Sequence, residues 1–269
     1  MTDLWSDLLT CLDLEPLPQQ ADGTRFEGRN QQLTYHRIFG GQLLAQFVRA
    51  ASLTCPGKAV KSLHVLFPRA GHSEEPVRYE VQRLHEGGTF ASLSIVASQT
   101  AGVVAAASVS LHAEEEGRAL QTTEPVPALP AAEHAVQMDL LPFETRSLDD
   151  LDSPKSESPE LELWMRMPTT SPDLAPALTA YATDLTLIGT ALRPVEGVSQ
   201  QDAGTAFTSA VTSHTVWFHR PFQTDDWLLL RQHSPLLAQG RCFGRGDVLT
   251  ADGSLVASYA QEALLRFKG

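Results

Sequence analysis

Two polar side chains set on apolar faces carry the strongest chemical signal in this 269-residue sequence. Across residues 176–192 the apolar positions Leu178, Tyr181, Leu185, Ile188 and Leu192 fall three and four apart, which predicts a helix. At about 100° per residue, Asp184 sits roughly 60° from Tyr181, on the flank of that stripe. A carboxylate there loses water, which raises its pKa unless donors hold it as the anion. Two readings are open: an acid bonded to a neighbouring loop, or one held for chemistry. Further on, Leu255, Ala257, Tyr259, Gln261, Ala263, Leu265 and Phe267 share one face of a strand by two-residue alternation. Only Gln261 in that set is a polar amide, and a buried amide needs a partner, either a backbone group or a ligand. An inward carboxylate and an inward amide can together hold a water for attack without a protein nucleophile.

The elements that must position them come in two similar sets. Thr2 to Leu14 reads as a short amphipathic helix with Leu4, Leu8, Leu9 and Leu12 on one stripe, capped by Thr2 or Asp3 and ended by a break at Pro16 and Pro18. A second helix covers about 39–53, with Gly40 and Gly41 at its start, where backbone amides lie open to a ligand or to close packing. Strands follow at about 59–69, 76–85, 88–99 and 102–112. Residues 113–158, rich in proline and opening with Glu114-Glu115-Glu116, read as an acidic linker or surface segment. The pattern then recurs: a strand at Leu161–Met167, the helix over 176–192, and strands at about 206–219, 226–235, 238–250 and 254–267. Helix plus antiparallel strands, twice over, is an α+β duplication. Its expected boundaries are 1–112, 113–158 and 159–269.

Composition narrows the function. The formal charge is −12, from 20 basic and 32 acidic residues, so nonspecific binding to nucleic acid or an anionic membrane is not expected. The acidic start and the lack of a long apolar run point away from a secretory signal or membrane span, and towards the cytoplasm. Cys11, Cys55 and Cys242 are widely spaced and read as buried thiols, without a disulfide framework or zinc site. No metal-binding cluster, P-loop, Gly-x-Gly-x-x-Gly or G-x-S-x-G elbow occurs, and no cofactor is expected. The nine histidines, His36, His64, His72, His85, His112, His134, His214, His219 and His233, lack ligand spacing and read as surface or structural residues.

Tyr181-Ala-Thr-Asp184-Leu, Trp217-Phe-His-Arg-Pro-Phe222 with Trp227-Leu-Leu, and Val256-Ala-Ser-Tyr-Ala-Gln261-Glu262 resemble the type II acyl-CoA thioesterases, the TesB-like double-hotdog enzymes. Phe39-Gly-Gly-Gln-Leu-Leu-Ala-Gln46 and His64-Val-Leu-Phe-Pro-Arg69-Ala-Gly71 match the same pattern, and the likeness runs in order from the first helix to Arg266. The resemblance implies a double hotdog, two antiparallel sheets each wrapped around a central helix, here 39–53 and 176–192. It implies hydrolysis of fatty acyl-CoA to free acid and CoA without metal or covalent intermediate. An Asp on the second helix, a Ser or Thr on the following strand and a Gln on the last strand would position the water. Asp184 and Gln261 match the first and last.

The middle position departs. The strand usually reads Ala-Ser/Thr-x-Asp-His, but here it is Ala210-Val211-Thr212-Ser213-His214, which puts Val211 at the hydroxyl position. Thr212 is the expected substitute if a bulge turns it inward, and Ser209 and Ser213 share the face of Val211. The expected catalytic set is therefore Asp184, Gln261 and Thr212. Gly40, Gly41, His64 and Arg69 are the expected substrate-binding residues, with a backbone amide near Gly40 or Gly41 serving the oxyanion. The arginine pair that often follows Ser-Phe in the family is Leu93-Ser94 here, which leaves CoA phosphates to scattered arginines such as Arg37, Arg69 or Arg245.

The leading expectation is an acyl-CoA thioesterase acting as a homodimer or larger homo-oligomer. The alternative is a catalytically weak or inactive hotdog protein that binds acyl-CoA or another acyl ligand. Hydration of an enoyl-CoA fits less well, because no histidine follows Asp184 closely.

Overall fold

The computed structural model describes residues 3–20, 23–33, 37–150 and 152–268. The thirty-sixth residue, among the histidines above, and Thr2 as a cap lie outside them. Two compact units emerge: Met1–Leu120 with Asp173–Ala182 and Thr215–Phe218, and Gln121–Pro172 with Thr183–His214 and His219–Gly269.

In the first unit, helix α1 (Leu4–Leu12) starts at Asp3, whose carboxylate accepts from the backbone N–H of Trp5 and Ser6. It buries Leu8, Cys11 and Leu12. Strands β1 (Glu15–Gln20) and β2 (Gly23–Gly28) come next, where the prolines suggested only a break. The correction is physical: β1 ends the strand order, and an edge strand can spare the N–H groups that Pro16 and Pro18 lack. Helix α2 (Gly40–Thr54) is buried on nearly every side, as expected of a core helix. It packs on β2, β3 (Ala59–Leu66), β4 (Val77–Glu86) and β6 (Gly102–His112). With β5 (Phe90–Gln99) the strand order in this unit is β1-β2-β4-β5-β6-β3. The β4-β5 and β5-β6 ladders are antiparallel, and β5 alternates strictly, with Ala91, Leu93, Ile95 and Ala97 facing the core.

The second unit orders its strands β9-β12-β11-β10-β8-β7, with β7 (Glu144–Arg146), β8 (Glu160–Arg166), β9 (Phe207–Phe218), β10 (Leu228–Ala238), β11 (Arg241–Thr250) and β12 (Leu255–Phe267). The helix expected over 176–192 is two helices: α3 (Ala175–Thr183), which belongs to the first unit as far as Ala182, and α4 (Leu187–Leu192) of the second, which packs on β10, β11 and β12. The interruption has a visible cause. Gln232 on β10 donates to the Thr186 hydroxyl (2.5 Å) and accepts from Thr190 (2.8 Å), so the chain is pinned to the sheet at the break. The acidic segment is also less free than its composition suggested. Within it β7 pairs with β8, and Arg193 is clasped by Asp149 (2.8 Å) and Glu157 (2.6 Å). Sheet and helix together are the α+β double hotdog.

Candidate functional site

Asp184 is the first residue past α3, in the break before α4, and is 5% exposed. Gln261 is 3% exposed on β12, in the middle of the buried row Ala257, Tyr259, Gln261, Ala263 and Leu265. Two glycines on β11 make room around that row. Gly244 stands opposite Gln261, and a Cβ there would meet Leu187 at 2.7 Å. Gly246 stands opposite Tyr259, where a Cβ would meet the tyrosine ring at 2.6 Å.

Asp184 and Gln261 converge on a third residue, His214 of β9, which is fully buried. The His214 Nδ1 lies 2.9 Å from Gln261 Oε1 and 3.8 Å from Asp184 Oδ1. Its Nε2 lies 3.0 Å from the Thr183 hydroxyl. The Tyr259 ring stacks on the imidazole at 6.0 Å between centroids, and the tyrosine hydroxyl accepts from Gln232 (2.8 Å). Burial pushes the His214 pKa down to about 4, with the Gln261 hydrogen bond opposing it, so the ring is neutral at pH 7. Burial also raises the Tyr259 phenol, which stays protonated. The Gln261 Nε2 is buried and has no hydrogen-bond partner among the described residues. An amide N–H₂ left without a partner in a closed site is a donor available to a ligand or a water.

From the sequence alone His214 reads as one of many scattered histidines. A signal was present: His214, Val216 and Phe218 alternate on one face of β9, and all three are buried. On the same strand Phe207 is buried at the opposite parity, so inward facing changes phase across residues 211–213.

Thr212 sits apart from the cluster. Its hydroxyl donates to the Glu262 carbonyl (3.0 Å) and lies 3.5 Å from the Glu262 carboxylate. Val211, Ser209 and Ser213 are half-buried. In the first unit Gly41 is packed so closely that a Cβ would collide with the Tyr181 carbonyl, and Phe39 meets the Tyr181 ring edge-on at 5.0 Å. Gly40 begins α2. His64 is exposed, with Nδ1 2.6 Å from the Thr215 hydroxyl. Arg69, also exposed, donates to the Ala101 carbonyl at the turn between β5 and β6. The three cysteines are free and buried, and burial pushes the Cys11 thiol up to about 12 and Cys242 to about 11. No group of ligating side chains among the described residues is arranged to hold a metal, and no described helix is long and apolar enough to cross a membrane.

The fold places the chain among double-hotdog proteins. Residues 30–112 match the acyl-CoA thioesterase N-terminal domain and residues 106–265 the acyl-CoA thioesterase C-terminal domain. The chain therefore belongs to the type II acyl-CoA thioesterase family. It is 30% identical to the acyl-CoA thioesterase 2 of Haemophilus influenzae over 292 residues, covering 99% of both chains. Among solved structures, the tesB protein of Mycobacterium avium subs paratuberculosis superposes with a TM-score of 0.81 at 29% identity, covering 97% of this chain and 99% of that one. An acyl-CoA thioesterase II from Mycobacterium marinum gives 0.77 at 28% identity, covering 97% and 98%.

Proposed function

We propose that this acyl-CoA thioester hydrolase cleaves fatty acyl-CoA to free fatty acid and CoA by direct attack of water positioned by Asp184 and Gln261. The observation that carries the reading is their meeting, from separate elements, at the buried Nδ1 of His214. Asp184 accepts one proton of the water as its oxygen bonds to the thioester carbonyl carbon; the C–S bond then breaks and that proton passes to the departing CoA thiolate, with the Gln261 N–H₂ as the second anchor of the water. Thr212, the hydroxyl expected from the sequence, donates to the Glu262 carbonyl, so the proposed set rests on Asp184 and Gln261. A water-positioning hydroxyl is accordingly missing at Val211. Enoyl-CoA hydration is disfavoured on the same geometry: both His214 nitrogens are engaged, which leaves the imidazole no free position for acid–base work.

Gly40, Gly41, His64 and Arg69 are proposed to bind substrate, and the repeats are proposed to run over 1–112 and 159–269, joined by 113–158. A reducing, cytoplasmic setting fits three buried, unpaired cysteines. A homodimer or larger assembly, absence of membrane and nucleic-acid partners, and a role in fatty-acid metabolism complete the reading. Thiol release from acyl-CoAs of graded chain length, with wild type beside Asp184→Ala and Gln261→Ala, tests it. Release by wild type at some length, lost in both variants, supports it; background release at every length favours the ligand-binding alternative that Val211 raises.

A further inference from the structure

Resting on the reading of Gln261 as a water anchor, we propose that Thr183 and His214 are positioning residues that fix which end of the Gln261 amide faces the reacting water. An amide can present its oxygen or its N–H₂ with nearly the same shape, and only hydrogen-bond partners choose between them. Here the choice passes through a neutral imidazole. The Asp184 carboxylate oxygen 3.8 Å from Nδ1 favours a proton on that nitrogen over a lone pair. A proton on Nδ1 donates to Gln261 Oε1 at 2.9 Å. That leaves Nε2 as an acceptor, which takes the proton of the Thr183 hydroxyl at 3.0 Å.

Donation thus runs one way, Thr183 to His214 to the Gln261 oxygen. It ends by committing the Gln261 oxygen and leaving the Gln261 Nε2, which has no partner among the described residues, as the free donor. Thr183, His214 and Gln261 are 0%, 0% and 3% exposed, so bulk water does not compete for these bonds. Among the described residues, the titratable groups shown against the ring are Asp184 and Tyr259, the latter stacked and held through its own hydroxyl by Gln232.

Thr183→Val keeps the shape of the side chain and removes the donor to Nε2. Released from the constraint, the imidazole shifts towards the other tautomer, and the amide samples its reversed orientation. On a long-chain acyl-CoA, kcat should fall about 10- to 100-fold with KM nearly unchanged. Thr183→Ser, which restores the hydroxyl, should return most of the rate. His214→Asn, whose amide N–H₂ can replace Nδ1–H, should retain more activity than His214→Leu. In a Gln261→Ala background Thr183→Val should cost little more, because both act through one amide.

The direct readout is ¹⁵N NMR of the histidines in wild-type enzyme at pH 7. The inference requires His214 to carry its proton on Nδ1, and Thr183→Val to convert that signal to a mixture. A wild-type proton on Nε2 overturns the inference, as does a Thr183→Val enzyme with wild-type kcat. Full activity in Gln261→Ala would instead overturn the underlying reading of the site, so the two failures are distinguishable.

Discussion

Each unit buries a polar network, and the two are built differently. In the first unit Gln46 of α2 is fully engaged. Its Nε2 donates to the carbonyls of Cys11 and Arg29 (both 2.8 Å), and its Oε1 accepts from the Tyr79 hydroxyl (2.6 Å) and from Gln42 (3.1 Å). Gln42 in turn donates to Asn30 (2.7 Å) and accepts from the Gln31 backbone N–H (2.9 Å). This network contains no carboxylate; it ties helix α2 to the chain around it. In the second unit the corresponding ingredients are an acid, an imidazole and an amide whose N–H₂ has no partner among the described residues. An unpaired buried amide alone is not the distinguishing mark, since the Gln31 side chain has no hydrogen-bond partner among the described residues either. The difference lies in what stands beside it: a buried base in one unit, neutral amides in the other. A closed neutral network holds a fold together, and an open one containing a base can act on a substrate.

Several substitutions would break or sharpen this contrast, taken in order of size. Removing the Asp184 carboxylate by Asp184→Ala should lower kcat roughly 10³-fold, within the usual range for a general base. Gln261→Ala should cost about 10²-fold or more, as for loss of one preorganised donor. Gln46→Leu in the first unit should act on stability instead. It strands the Tyr79 hydroxyl and two carbonyls, costing about 2–4 kcal/mol in urea unfolding, while kcat per folded molecule stays within a few-fold.

A pH series probes the buried imidazole. The folded pKa of His214, about 4, lies below its usual 6.5 because burial disfavours the charged ring. The unfolded chain therefore binds the proton first, and the stability due to a neutral buried His214 is present above pH 6.5 and lost as pH falls towards 4. The full shift corresponds to about 3 kcal/mol. Urea unfolding at pH 7 and at pH 4.5 should show a drop in wild type that is smaller in His214→Asn. The smallest effect expected is a gain: Val211→Thr introduces a hydroxyl at the position where the resemblance implies one and should raise kcat by a few-fold.

Much of this was legible in the residues. The two-residue alternation of β12 marked Gln261 as inward, and the helical stripe put Asp184 beside apolar neighbours; both are buried. What the stripe concealed was the break at residues 184–186, because the contacts that hold it open come from Gln232, far along the chain. A local periodicity cannot report a long-range hydrogen bond. His214 went unrecognised for a different reason. Its alternation with Val216 and Phe218 was in view, but the phase change over residues 211–213 blurs inward and outward along the strand. The same irregularity hides the direction of Thr212, whose hydroxyl donates to the Glu262 carbonyl in the fold. Strand β1 was hidden by prolines that an edge position tolerates.

The central claim is that Asp184 serves as the base for water attack, and Asp184→Asn tests it most directly. The change removes the basic oxygen while keeping size and hydrogen-bonding capacity. Single-turnover thiol release from a long-chain acyl-CoA, measured on variant protein with wild-type unfolding behaviour, should slow by roughly 10²–10⁴-fold. Release at the wild-type rate would contradict the account.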